Sequence, residues 1–135
     1  AGCEPQTVHN YAQFGLNLGL AFQVIDDILG IWGDEAVIGK SASTDILTKK
    51  KTLPVLYGLS QNGALRQLYE QESTDEAFVQ EAIAVLNKTG ARDYATQRAT
   101  YYSENALGHL EEAQPSGPAA AALNQLSAML LQRDF

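Results

Sequence analysis

The sequence predicts an all-α protein, a helical bundle that forms a single domain over residues 1–135. One long segment, Gln6–Trp32, carries apolar residues on nearly every face, which is typical of the central helix of a bundle. Most later segments carry apolar residues at the spacing of an amphipathic helix, and no segment alternates apolar and polar residues as a half-buried strand would. A chain of this length can also bury a core of its own.

The first predicted helix, Gln6–Trp32, contains several glycines among its apolar residues. Glycine lowers helix propensity, so its presence here favours close helix contact or space for a ligand. Gly30 and Gly33 mark the end of the helix, and Gly33–Asp45 is predicted to be a loop. Polar residues interrupt the apolar run, so we expect no stable insertion into a membrane. These interruptions are Asn17, Gln23, Asp26 and Asp27.

Three shorter helical segments follow the loop. Thr52–Gln61 is apolar and its Pro54 suits a first helical turn, while Ala64–Tyr69 resumes the helical pattern after a break. The stretch Ser73–Glu76 offers an N-cap, with acids in the first turn of the next helix. Thr89–Gly90 ends that helix, because glycine can adopt a left-handed cap.

Two longer helices complete the chain. Ala91–Ala113 keeps apolar residues at helical spacing, with Gly108 as its weak point. Pro115–Pro118 is predicted to be a turn, and Ala119–Gln132 a last amphipathic helix. Because the surroundings of its tyrosines are acidic, we expect those side chains to pack between helices rather than to stack on nucleic-acid bases.

The composition restricts the class of protein. The sequence is 45% hydrophobic and 19% charged, as in soluble globular proteins, and its net charge of -7 argues against a nucleic-acid partner. Cys3 is the only cysteine, so no intramolecular disulfide can form, and a reducing, cytoplasmic location is expected. The N-terminus lacks the basic and apolar regions of a signal peptide. It also begins at Ala1 without an initiator Met, so we expect the chain to be processed, trimmed or cut from a longer protein.

The most informative residues are two adjacent acids, Asp26 and Asp27, inside the apolar helix. Neighbouring helical residues point about 100° apart, so both acids share one rim, with Gln23 one turn before them. Two carboxylates about 4 Å apart repel by roughly 4 kcal/mol at an effective dielectric near 20, which a divalent cation would offset. Oxygen ligands favour Mg²⁺. The alternative is an exposed acid pair that ends the helix.

Lysines follow the acid pair directly. Lys40, Lys49, Lys50 and Lys51 are nearly half of the 9 basic residues of the chain. A metal-bridged diphosphate needs cations as well as acids, because its remaining oxygens carry negative charge. For Lys49 and Lys51 a solvated lysine run is the favoured alternative, whereas Lys40, behind Gly39, is expected to be positioned.

This block resembles the second aspartate-rich region of the trans-isoprenyl diphosphate synthases, which include the farnesyl, geranylgeranyl and longer polyprenyl diphosphate synthases. The residues that carry the resemblance are Phe22-Gln23-Val24-Ile25-Asp26-Asp27, Gly33-Asp34, Gly39-Lys40, Asp45 and Lys50-Lys51-Thr52-Leu53-Pro54. Their order and spacing over some thirty residues make the resemblance specific. It implies that the chain forms the C-terminal part of the isoprenoid synthase fold.

The resemblance also implies an activity and a site. The family uses Mg²⁺ to ionise an allylic prenyl diphosphate, which then condenses with isopentenyl diphosphate; the intact parent is expected to give farnesyl or geranylgeranyl diphosphate and to be a homodimer. By position, Asp26 and Asp27 match metal-binding acids, with Asp26 the better ligand. Lys40 and Lys50 match lysines that contact the diphosphate, and Asp45 matches an outer-shell acid near the metal. Gln23 matches a polar residue of the cavity wall, and Phe22 matches a residue that lines the hydrocarbon cavity.

Two departures from the family pattern limit what the chain is expected to do alone. The family usually has Asp-Asp-x-x-Asp, and here Gly30 takes the place of the last acid. The first aspartate-rich motif is absent, so the chain by itself is expected to be inactive. The alternative function is a non-catalytic regulatory or structural subunit of a heteromeric prenyl synthase; a terpene cyclase is disfavoured by the lysine block. His9 and His109 are expected to be ordinary surface histidines rather than zinc ligands.

Overall fold

A computed structural model describes residues 4–33, 43–61 and 63–132, and it is helical in the way the sequence predicts. The helices of these ranges are α1 (Pro5–Trp32), α2 (Thr44–Leu47), α3 (Leu53–Gln61), α4 (Gly63–Glu70), α5 (Glu76–Thr89), α6 (Ala91–Ala113) and α7 (Gly117–Leu131). The all-α prediction is therefore confirmed.

Two compact units make up the chain. The first unit comprises Ala1–Gln23 and Arg98–Asp134, and the second comprises Val24–Gln97. Both α1 and α6 contribute residues to each unit. The expectation of a single domain over the whole chain stays a prediction.

The first unit is built from the N-terminal part of α1, the C-terminal part of α6, and α7. Its apolar core contains Phe14, Leu18, Ala106 and Leu110. Beside this core, Oδ1 of the buried Asn10 lies 3.1 Å from Nδ1 of His109. The ring of His9 meets that of His109 edge-on, with 6.1 Å between the centroids. The two histidines are thus neighbours, which their separation of a hundred residues did not predict.

Helix α1 is apolar overall, in spite of the polar residues that interrupt it. By length and composition alone, α1 is long and apolar enough to cross a membrane despite those interruptions, so the expectation of no stable membrane insertion stays a prediction. The same features are typical of the core helix of a soluble protein, and 61% of the most apolar window of α1 is buried within the protein. That burial agrees with the predicted place of this segment among other helices.

The second unit contains the end of α1, the helices α2 to α5, and the start of α6. Helices α3, α4 and α5 pack against one another, and α2 packs against α5. Their shared core consists of Ile31, Ile46, Val55, Leu65, Leu68, Phe78, Val79, Ala82, Leu86 and Ala91. The unit therefore joins the end of α1 to the segment that follows the predicted loop.

Local signals define several helix boundaries. Asp75 is the N-cap of α5, and its Oδ1 accepts a hydrogen bond of 2.9 Å from the Phe78 N–H. Gly90 ends α5 in the left-handed conformation, with φ 74°. Both ends agree with the prediction. By contrast, α7 starts two residues before the predicted Ala119, because Pro118 is tolerated in its first turn.

The predicted loop from Gly33 to Asp45 is partly corrected. Helix α2 begins at Thr44, so Asp45 lies in its first turn rather than in a loop. The preceding Ser43 adopts φ 70°, a left-handed conformation that sets the direction of chain entry into α2. Residues 34–42, which include Gly39 and Lys40, lie outside the described ranges.

Candidate functional site

The acid pair lies near the C-terminal end of α1. Asp26 is half-buried, whereas Asp27 is buried. Oδ2 of Asp27 accepts a hydrogen bond of 3.1 Å from the backbone N–H of Leu53, the first residue of α3. The first N–H groups of a helix have no partner within it, so Asp27 satisfies one of these donors. Asp27 thus stabilises the start of α3.

Asp45 packs directly against α1 at Gly30. A Cβ atom built on Gly30 would lie 2.7 Å from Cγ of Asp45 and closer still to Oδ2. Asp45 is also buried, with 6% of its surface exposed. A side chain at position 30 and the observed position of Asp45 therefore exclude each other. Gly30 itself was the only sequence signal of this contact, and it did not identify the partner.

The end of α1 is held by bonds to two other parts of the second unit. Ser43 Oγ donates to the backbone oxygen of Ile31 over 3.3 Å, which ties the start of α2 to α1. Trp32 Nε1 donates to Oδ1 of Asn87 over 3.0 Å, which ties the last residue of α1 to α5. The guanidinium carbon of Arg92 lies 5.7 Å from the centroid of the Trp32 ring. These contacts fix the helix end that carries the acid pair.

The three consecutive lysines do not behave alike. Lys50 and Lys51 are exposed, whereas Lys49 is half-buried. Nζ of Lys49 donates to the backbone oxygens of Tyr69, over 3.1 Å, and of Gln71. The interpretation of Lys49 as a solvated lysine is therefore wrong. The sequence contains no signal for this contact, because it depends on where the end of α4 lies.

Tyr69 lies at the centre of these lysine contacts. Its ring is 5.6 Å from that of Phe78, and Nζ of Lys51 lies 5.3 Å from its centroid. The Tyr69 hydroxyl is buried, and the part of the chain that the structure describes gives it no hydrogen-bond partner. Burial raises the pKa of Tyr69 to about 12, and the negative charge of Asp45 adds to this effect. The phenol is therefore neutral at physiological pH.

The predicted site residues fall into three groups. Asp26, Asp27, Asp45 and Lys50 all lie in the second unit. Phe22, half-buried, and Gln23, exposed, lie on α1 in the first unit. Lys40 lies outside the described residues. The roles of all seven residues stay predictions, but the acids at the end of α1 and the acid of α2 belong to one compact unit.

The donor chemistry of the acids fits Mg²⁺, which prefers carboxylate oxygens. Gly30 leaves a space at the end of α1 that the carboxylate of Asp45 fills, so a third acid approaches the helix from α2. Within residues 4–33, 43–61 and 63–132, however, no three His, Cys, Asp or Glu side chains form a metal-binding group. A Mg²⁺ ion commonly takes most of its oxygens from water and a phosphate substrate and only one or two from carboxylates, so the metal-binding role of the acids stays a prediction.

Comparison with known proteins identifies relatives of the whole chain. The sequence profile of the polyprenyl synthetase family matches residues 1–86. A prenyl transferase from Cyanidium caldarium is 32% identical over 123 residues, which cover 91% of this chain and 38% of that protein. The chain thus spans about two fifths of the length of this relative.

Solved structures agree with the sequence match. The geranylgeranyl pyrophosphate synthetase of Pyrococcus horikoshii Ot3 aligns with a TM-score of 0.82 and 29% identity, over 97% of this chain and 41% of that one. The geranylgeranyl pyrophosphate synthase of Corynebacterium glutamicum, complexed with isoprenyl diphosphate and magnesium, aligns with a TM-score of 0.80 and 27% identity. That alignment covers 98% of this chain and 39% of the other. The helices described above therefore match part of a known all-α fold.

Proposed function

Because this chain belongs to the polyprenyl synthetase family, we propose that it is the diphosphate-binding, C-terminal part of an isoprenyl diphosphate synthase. The proposed reaction of the intact protein condenses isopentenyl diphosphate with an allylic prenyl diphosphate and gives farnesyl or geranylgeranyl diphosphate. We further propose that the intact protein is a cytoplasmic homodimer. The single observation that supports the site best is that Asp26, Asp27, Asp45 and Lys50 belong to one compact unit, with Asp45 against the end of α1.

The proposed reaction exchanges one carbon–oxygen bond for one carbon–carbon bond. The allylic carbon loses its diphosphate, the double bond of isopentenyl diphosphate forms a bond to that carbon, and a proton then leaves the product. Mg²⁺, when bound, would neutralise the departing diphosphate and so favour its release. The proposed contribution of this chain is to bind the diphosphate and to neutralise its negative charge.

Asp26 and Asp27 are the residues proposed to hold the metal, and Asp26 is proposed to be the stronger ligand of the two. Since Asp27 also accepts the Leu53 N–H, its carboxylate cannot turn freely toward an ion without losing that bond. Asp26 is half-buried and one residue earlier on the helix, so it is the principal ligand in this proposal. Asp45, which packs against Gly30 of α1, is proposed to be an outer-shell acid of the metal site.

Lys50 and Lys40 are the cations proposed to contact diphosphate oxygens. Lys50 is exposed, so its ammonium is accessible to a substrate. Hydrogen bonds between a lysine and a phosphate oxygen are charge-assisted and strong, so the loss of one is expected to weaken binding clearly. Phe22 and Gln23 are proposed to meet the hydrocarbon chain and the polar end of the substrate, respectively.

The chain alone is proposed to be inactive, because it spans about two fifths of its relatives and carries one acidic motif. A second candidate function is a non-catalytic subunit that regulates or supports a catalytic partner. Gly30 favours this alternative, since it removes one acid from the motif. The presence of the lysine block favours the enzyme, because a purely structural subunit does not need it.

Two experiments test the proposed function. In the intact parent protein, steady-state turnover with isopentenyl diphosphate, an allylic diphosphate and Mg²⁺ should fall on the order of 100-fold or more in Asp26→Ala, because a metal ligand is lost. Glu111→Ala, an exposed acid of α6, is the matched control and should change turnover little. Near-normal turnover of Asp26→Ala would contradict the role of this acid.

The second experiment uses the chain itself. Calorimetric titration with inorganic pyrophosphate and Mg²⁺ should show binding that weakens about tenfold or more in Lys50→Met, as expected for a lost charge-assisted hydrogen bond. Lys88→Met, which removes an exposed lysine in the last turn of α5, should bind as the unchanged chain does. A chain that fails to bind pyrophosphate while the parent is active would restrict the site to the intact protein.

A further inference from the structure

Lys49 has a backbone conformation that is unfavourable for its residue type. Its φ is 52°, in the left-handed region that a side chain with a Cβ atom rarely adopts. Such conformations persist where the surrounding structure holds them, and they occur often at functional sites. Lys49 directly precedes Lys50, the lysine proposed to contact diphosphate. Contacts of the Lys49 side chain must therefore hold this backbone conformation.

The side chain of Lys49 is bound to the C-terminal end of α4. Its Nζ donates to the backbone oxygens of Tyr69 and Gln71 and lies 5.4 Å from the centroid of the Phe78 ring. The last carbonyl groups of a helix have no partner within it, and a cation is favourable beside them. This set of contacts compensates for the unfavourable backbone of Lys49.

Lys51 is directed to the same place. Its Nζ lies 5.3 Å from the centroid of the Tyr69 ring, and that ring packs on Phe78. Both neighbours of Lys50 thus contact the end of α4. A positive charge over an aromatic ring is an attractive arrangement, although weaker at an exposed site than at a buried one.

The backbone around Lys50 is also fixed. The backbone N–H of Lys50 donates to the backbone oxygen of Asp45 over 2.9 Å. The backbone N–H of Thr52 donates to the backbone oxygen of Lys50 over 3.0 Å. The next N–H, that of Leu53, is the one that Asp27 accepts. The segment from Lys49 to Leu53 is therefore bonded on one side to α4 and on the other to the two helices that carry the acids.

We propose that the C-terminal end of α4 and the start of α5 form a clamp that positions Lys50 for the diphosphate. The clamp consists of the backbone oxygens of Tyr69 and of Gln71, just after α4, together with the ring of Tyr69 and the ring of Phe78 in α5. Lys49 and Tyr69 are then positioning residues, since they act through Lys50. This inference rests on the proposed function for the role of Lys50. The clamp itself rests only on the contacts described above.

The clamp uses the backbone and the ring of Tyr69 and does not use its hydroxyl. Tyr69→Phe should therefore leave the clamp intact, whereas Tyr69→Leu should weaken it by removing the aromatic ring. Lys49→Met keeps the length of the side chain without its charge, and Lys49→Arg keeps the charge. These pairs separate the contribution of each group.

The first arm of the test measures local order in the chain by amide hydrogen exchange at Lys50 and Thr52. Lys49→Met should speed exchange at both amides about tenfold or more while leaving the amides of α5 unchanged. Lys49→Arg and Tyr69→Phe should exchange as the unchanged chain does, and so should the control Lys88→Met. Unchanged exchange in Lys49→Met would overturn the clamp, whether or not Tyr69→Leu folds.

The second arm measures the affinity of the same variants for inorganic pyrophosphate with Mg²⁺. Lys49→Met should weaken binding about tenfold, Lys49→Arg should restore it, and Lys49→Met should add little in a Lys50→Met background. Faster exchange with unchanged affinity would overturn the positioning role and leave the proposed function intact. If the unchanged chain and the intact parent both fail to bind pyrophosphate, the proposed function and the positioning role fall together, and the exchange data alone decide the clamp.

Discussion

Asp45 occupies the space beside Gly30 in which a side chain at that position would begin, with its Cγ 2.7 Å from the place of a Cβ atom. The two residues belong to different helices, α1 and α2, and are fifteen positions apart in the sequence. The contact brings a buried carboxylate to the helix that carries Asp26 and Asp27. A glycine that looked like the loss of one acid is therefore also the position where another acid packs.

Gly30→Ala should lower the free energy of unfolding by about 1–3 kcal/mol, the usual cost of overpacking a filled site. The added methyl group and the Asp45 carboxylate cannot both keep their places. In an Asp45→Ala background the same change should cost little or stabilise the chain, since alanine favours helix over glycine by up to about 1 kcal/mol. Urea unfolding of the four proteins measures this coupling.

Equal costs of Gly30→Ala in both backgrounds would show that Asp45 is not the obstacle. Gly15→Ala is a matched control on the same helix, because a Cβ atom built on Gly15 meets nothing within 4 Å. That control should stabilise α1 slightly or leave it unchanged.

Asp27→Ala should destabilise the chain by about 1 kcal/mol, because the first N–H of α3 loses its acceptor. Asp27→Asn should cost less, since the amide oxygen can still accept this bond. Thermal and urea unfolding of both variants, at equal salt, provide the measurement. Asp75→Ala is a suitable comparison, because Asp75, the exposed N-cap of α5, also accepts a bond from an N–H of a first helical turn, over 2.9 Å.

A cost of Asp27→Ala far below that of Asp75→Ala would mean that the bond to Leu53 contributes little.

Tyr69→Phe should make the chain more resistant to alkaline unfolding. Burial raises the pKa of Tyr69 from 10.0 to about 12, so the folded chain holds the phenolic proton more tightly than the unfolded chain does. The stability that the folded chain gains by holding the Tyr69 proton is therefore fully present below pH 10 and is lost as the pH rises from about 10 to 12. The unfolding temperature of Tyr69→Phe relative to the unchanged chain should therefore increase between pH 8 and pH 11.

At pH 8 the same variant should be as stable as the unchanged chain or slightly more stable. The Tyr69 hydroxyl is buried without a hydrogen-bond partner among the described residues, and such a group costs free energy. A pH-independent difference between the two proteins would contradict the raised pKa.

The parts of the fold that follow from local chemistry were predictable from the sequence. Asp75 and Gly90 define both ends of α5 by bonds and backbone angles within a few residues, so their types identify the boundaries. The acid pair was recognisable as well, because charged residues inside an apolar helix need a specific reason.

The contacts made through tertiary packing could not be predicted in this way. Three consecutive lysines look like a solvated run, and only the position of the end of α4 shows that Lys49 is bound there. The meeting of Gly30 with Asp45 likewise depends on where α2 lies, and the approach of His9 to His109 depends on how α1 and α6 pack within the first unit.

Trp32, whose indole donates to Asn87, is the only tryptophan of the chain. Its emission therefore comes from one place, the last residue of α1, two positions after Gly30 and beside the guanidinium of Arg92. The protein thus carries an intrinsic fluorescent probe at the helix end that holds its acids, and titrating pyrophosphate or Mg²⁺ against that signal would need no label.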